Sequence, residues 1–137
     1  MSDPPFWTPD LDEKISRLQA GFTRVFSLIQ MEEVWLQFVE ECEEGYGCSI
    51  YEFDNDISVR DRIDLILSHE DLCRVAAVEH LRAETAKVDE RFRTLLRTDV
   101  TIKSDDAPWW RRGVLKYAGE EYAQDIRSEY GIEIEVR

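Results

Sequence analysis

Apolar residues recur along this chain with two periods, and the periods place its elements. Leu11, Ile15, Leu18, Phe22, Val25 and Ile29 follow one another at steps of 4, 3, 4, 3 and 4. That spacing marks one stripe of a helix that faces another helix. Thr8-Pro9-Asp10 just before it offers a cap, a proline at the first helical position and an acid in the first turn. Gly21 weakens the middle of the stripe but need not break it. A second helix is expected over 32–43, with Val34, Trp35, Phe38, Val39 and Cys42 on one side and Gly45-Tyr46-Gly47 as its stop. Residues 48–53 alternate in the manner of a short strand, and Asp54-Asn55-Asp56 reads as a turn.

Further on, Ser58-x-x-Asp61 is placed to cap a short helix bearing Val59, Ile63, Ile66 and Leu67. Ser68-x-x-Asp71 opens the longest helix, reaching Arg97, on which Val78, Leu81, Thr85, Val88, Phe92 and Leu95 again step by 3 and 4. The two long stripes predict an antiparallel helical pair at the centre of a bundle, or equally a homodimer seam. Asp99 to Lys103 is a candidate strand. A last helix is expected over 119–130, closed by Gly131, and Ile132 to Val136 alternates as an amphipathic strand. The expected fold is mainly α with minor β: a helical bundle with long heptad-striped helices and a few short strands, forming a single domain over 1–137.

Composition supports a folded chain, since 43% hydrophobic residues suffice for a core. No apolar run approaches the roughly 18 residues that cross a bilayer. The first residues have neither the basic start nor the apolar centre of a signal peptide. Three cysteines, an odd number, argue against a disulfide framework and for a reducing cytoplasm.

Charge changes the picture more. The net charge is −13 and it is localised. Residues 1–56 carry 13 acids and 3 bases, residues 57–104 carry 9 of each, and residues 105–137 carry 8 acids and 5 bases. No Lys or Arg occurs from Val25 to Val59. Direct nucleic-acid binding is disfavoured, because phosphate contacts need clustered cations. Ordinary surfaces intersperse both signs, and adjacent like charges on a helix cost a few tenths of a kcal/mol per pair. A basic protein partner would make such a surface useful, since opposite potentials steer encounter. The candidate partner-binding residues are Glu40, Glu41, Glu43, Glu44, Glu52, Asp54 and Asp56, with Tyr46 and Tyr51 as apolar anchors.

Other chemistries fit less well. A calcium loop starting at Asp54 would put Val59 where glycine is needed and Leu65 where the bidentate glutamate belongs. A zinc site would need Cys42 and Cys48 with His69 and Cys73, but Cys-x5-Cys is not a usual zinc spacing and free cysteines are common in cores. Neither a metal nor another cofactor is expected. Trp109-Trp110-Arg111-Arg112 reads as one buried and one partly exposed tryptophan, with the arginines pairing to acids of the first half. No glycine-rich phosphate loop or Gly-x-Ser-x-Gly element occurs.

Arg74-x5-His80 and Arg62-x6-His69 match the bare spacing of the Arg-x4–6-His motif, and in this the chain resembles the ribonucleases of the HEPN family. That resemblance implies a dimeric, metal-independent ribonuclease in which Arg74 binds the scissile phosphate and His80 is the general acid or base. Val75 and Ile63 stand where the family has a polar residue. The first expectation for function is therefore a cytoplasmic inhibitor or immunity protein that masks a basic toxin or nuclease. A ribonuclease is the alternative, and a helical assembly subunit the third.

Overall fold

The computed structural model describes residues 9–22 and 24–137, without the side chains of residues 9, 10 and 12. The cap expected at Thr8 lies outside the described residues. Helix α1 (Pro9–Leu18) is followed by α2 (Leu28–Glu44), α3 (Ile50–Asp56), α4 (Ser58–Leu67), α5 (Ala76–Arg93), the single turn α6 (Trp109–Arg112) and α7 (Glu120–Tyr130). Two-residue strands β1 (Tyr117–Ala118) and β2 (Glu135–Val136) flank α7 and pair in parallel. The protein is mainly helical with a minor sheet. Among the described residues no helix is long and apolar enough to cross a membrane.

The first stripe is cut in two. Leu11 and Ile15 are buried, but Val25 and Ile29 are 49% and 58% exposed. Gln19 explains the break. Its buried amide accepts from Phe26 N and donates to the Phe26 carbonyl at 2.7 Å and to the Ile15 carbonyl at 3.1 Å. One side chain thus satisfies backbone groups that a continuous helix would have paired internally. Ser27 and Gln30 then form a capping box, and α2 starts as a separate helix.

The stripe on α5 is read correctly: Val78, Leu81, Thr85, Val88, Phe92 and Leu95 are all buried. Its partner is α2, not α1, and the pair is parallel. Glu32 meets His80 and Glu43 meets Arg91, the same offset of 48 residues at both ends. Helices α3 and α4 form the return that a parallel pair requires. Trp35 and Phe38 stack on each other and both meet Phe92, with centroids 5.3 and 5.9 Å away.

Behind this contact sits a buried charged network. Arg60 Nε and Nη2 donate to Asp89 at 2.9 Å each, Trp35 Nε1 donates to the same carboxylate at 3.2 Å, and the guanidinium lies 4.2 Å over the Trp110 ring. Trp110 is buried and Trp109 half-buried, as expected of that pair. Arg111 pairs with Asp61 and Asp54 of the first half, whereas Arg112 donates to the carbonyls of Ala107 and Asp105.

Several local expectations are corrected. Residues 48–53 are not a strand. Ser49 Oγ accepts from Glu52 N and starts α3, and Phe53 and Ile57 fall on its buried side with Ile50 half-buried. Asp54, Asn55 and Asp56 belong to that helix, and the turn comes at Ile57. Ser58 lies inside α4, whose N-cap is Ile57 without a side-chain cap. Residues 68–75 form turns, with His69 Nδ1 accepting from Asp71 N, so α5 begins at Ala76 and ends at Arg93. Residues 99–103 form no strand; Ile102 N makes one backbone bond, to Arg112. Of 132–136 only Glu135 and Val136 are paired, while Ile132 and Ile134 pack half-buried on the core. Gly131 closes α7 in the left-handed region, as expected.

Candidate functional site

The acids of the opening half lie on two elements and are joined by a third. Gly45 ends α2 at φ 118°, and the chain turns through Tyr46 and Gly47 into α3. Gly119 locks this corner to the start of α7. Its N donates to the Tyr46 carbonyl at 2.7 Å, and an added Cβ would stand 2.9 Å from that oxygen. Asp125 of α7 accepts from Ile50 N at the start of α3. The end of α2, all of α3 and the exposed side of α7 therefore meet. The hydrogen bond to Glu52 first, and Glu121 last, raise the Cys48 thiol, and Glu129, then burial and Asp125, raise the Tyr51 hydroxyl.

Glu40, Glu41, Glu44, Glu52 and Asp54 are exposed. Glu43 is half-buried and holds Arg91 through two hydrogen bonds, and Asp54 faces Arg111 at 3.7 Å. Asp56 is half-buried and accepts from Tyr46 OH at 2.7 Å. Tyr46 is only 1% exposed, at the centre of an aromatic cluster with Phe38, Phe53 and Tyr122. It is a core residue and not a surface anchor; burial, then the hydrogen bond to Asp56, pushes its hydroxyl far up. Tyr51, by contrast, is 68% exposed and lies against Glu129. Among the described residues Glu40, Glu41, Glu44, Glu52, Glu121, Asp125 and Glu129 have no ion-pair partner. Burial first, then Asp56 and Glu44, raises the Glu41 carboxyl above the usual carboxylate range.

Beside this surface runs a groove of about 350 Å³ between α2 and α4, and the sequence reading missed it. Its α2 wall is Val34, Gln37, Phe38 and Glu41, one face at helical spacing. Arg24, Phe26 and Arg62 line it elsewhere, with Asn55, Asp56, Ser58 and Val59. Arg62 is 5% exposed, yet no carboxylate among the described residues pairs with it. Both of its hydrogen bonds leave from Nη1, to Gln19 and to the Arg24 carbonyl; its Nε has no partner. The guanidinium lies over the rings of Phe22 and Phe26.

The cysteines do not assemble. Cys42 is fully buried, Cys48 and Cys73 half-buried, and all are free. Among the described residues the group with donor atoms within 4.8 Å of one another is instead Glu32, His80 and Glu84, on α2 and α5. Burial, with Glu41 and Asp56 nearby, pushes the Cys42 thiol far up, so the thiolate needed for attack is scarce. Under native conditions Cys73 and Cys48 are expected to react with a thiol reagent at least about tenfold faster than Cys42. Mass-mapped labelling checks this; equal rates would mean that the core around Cys42 opens readily.

The two Arg–His pairs are also placed. Arg62 is the enclosed cation of the groove. Arg74 is exposed in the turns before α5, and the Nε2 of His80 sits 3.5 Å from Glu32. No family model matches this chain, and neither does any curated protein or solved structure.

Proposed function

We propose that this chain is a protein-binding module whose carboxylate surface docks on a basic partner, in the manner of an inhibitor or immunity protein for a toxin or nuclease. One observation carries the reading: Glu40, Glu41, Glu44, Glu52, Glu121, Asp125 and Glu129, without an ion-pair partner among the described residues, lie on three joined elements around an exposed Tyr51. Self-repulsion makes that arrangement costly without a cation to meet it. A target that holds nucleic acid must be basic where it does so, and carboxylates can occupy the positions of phosphates. Masking of this kind is steric and electrostatic and needs no cofactor. Tyr51 offers the rigid amphipathic contact that interfaces favour. Tyr46 serves underneath it by fixing Asp56.

The test is a low-salt pull-down from the source cell with identification of what is retained. A variant with Glu40, Glu44, Glu52 and Glu121 changed to lysine leaves Glu43 on Arg91 and leaves the groove untouched. Wild type is expected to retain a basic protein that the variant loses. Association of that pair should slow roughly tenfold or more as ionic strength passes about 0.15 M, where the screening length is about 8 Å. A folded variant that keeps every partner would reduce the acidic surface to a solvated one.

A further inference from the structure

The groove between α2 and α4 has two poles. At one end Arg62 and Arg24 act on each other as like charges, beside the ring of Phe26. At the other, Glu41 and Asp56 do the same with opposite sign. Between them lie the apolar side chains of Val34, Phe38 and Val59, with Gln37, Asn55 and Ser58 as neutral hydrogen-bonding groups. The cationic pole is the anomaly. In a chain of net charge −13, a nearly buried arginine with no carboxylate beside it among the described residues, next to a second arginine with no ion pair among them, makes a cationic pocket suited to an anion. Burying a charge is costly unless it is paired, and a guanidinium is shaped for a carboxylate.

We propose that the groove binds the carboxylate of a basic amino-acid residue at Arg24 and Arg62 and its side-chain cation at Glu41 and Asp56, either as the free amino acid or as the C-terminal residue of a basic partner chain.

Length supports the assignment. The groove follows α2 for seven residues, from Val34 to Glu41, a length of about 10 Å at 1.5 Å per residue. An extended arginine places its carboxylate and guanidinium carbons roughly 7 Å apart, from six bonds of about 1.5 Å at tetrahedral angles. One hydrogen-bond contact at each end covers the remainder. A plain anion would leave the two acids facing each other, and a plain cation would leave Arg62 unpaired. A ligand carrying both charges answers both. The proposal rests on the preceding reading only for the second source of the ligand; the free amino acid tests the groove without any partner.

The experiment is a titration of the full chain, followed by amide chemical shifts, with L-arginine, with agmatine, which lacks the carboxylate, and with L-norvaline, which lacks the side-chain cation. L-Arginine is expected to shift Arg24, Phe26, Asp56 and Arg62 at millimolar concentration or below. Each truncated ligand should bind at least tenfold more weakly. The exposed changes Arg24→Ala and Glu41→Gln should weaken L-arginine at least fivefold while the rest of the spectrum is kept. A basic peptide ending in a free Arg carboxylate, binding where its C-terminal amide does not, would identify a chain end as the ligand; binding of the free amino acid alone would identify a small molecule. Agmatine binding as well as L-arginine, or no shift of groove amides by 20 mM of any of the three, overturns the proposal. Neither result bears on the lysine variant of the acidic surface, so the two readings fail separately.

Discussion

Replacing Asp89 with alanine should destabilise the protein by about 3–5 kcal/mol, the cost of leaving a buried charge without its partner. Asp89 is buried and receives both Arg60 donors and the indole N–H of Trp35. Its removal orphans all of them at once. The Nη1 of Arg60 already lacks a partner among the described residues, so the guanidinium has no second acceptor there to turn to. Chemical denaturation with coincident fluorescence and circular dichroism signals reads the loss. A second variant separates the charge from the packing. Changing Arg60 and Asp89 together to leucine and methionine should recover most of the loss, because well-packed apolar residues often replace a buried ion pair without cost. A loss under 1 kcal/mol for the single change would mean that water reaches Arg60.

Phe92→Ala should cost a comparable 3–5 kcal/mol, from lost transfer energy plus the cavity left behind. Phe92 is fully buried and its ring touches Trp35, Phe38 and Trp109, so no single neighbour can swing in to fill the space. Leu18→Ala supplies the contrast. Leu18 is only half-buried at the end of α1, after which the chain turns away, and its loss should be clearly smaller. Equal costs at the two positions would place α1 in the core as firmly as α5.

The α5 stripe was legible because burial alone dictates it: six positions at helical spacing, all buried. The α1 stripe had the same form and failed. What ended it was a side chain, Gln19, whose reach to the backbone of Phe26 has no periodic signature. Residues 48–53 failed for the opposite reason. Six residues of alternation are too few to exclude a helix, and Ser49 as a cap tips the balance once Phe53 and Ile57 need the same side. The direction of the α2–α5 pair was beyond periodicity, which fixes faces and not polarity. The acids of 40–56 stood out in the chain, but their meeting with Glu121, Asp125 and Glu129 depends on a bond between Gly119 and Tyr46, 73 residues apart. Tyr46 and Tyr51 looked alike beside their acids. Only packing separates the one inside from the one outside. The groove itself left no trace: Arg62 stood out only for its spacing to His69, and a missing partner is not written in a sequence.

The last turn of α2 contains Glu41, Glu43 and Glu44 and no base, at the negative end of the helix dipole. The neighbouring α5 runs parallel and ends with Arg91 and Arg93; Arg91 reaches across to Glu43, and Glu41 and Glu44 are left without an ion-pair partner among the described residues. The folded state therefore keeps a local repulsion among Glu40, Glu41 and Glu44 that an outside cation would relieve further. Mass action makes this a coupling between occupancy and folding: whatever cation settles on that turn in the native state, and not in the unfolded chain, draws the folding equilibrium towards itself.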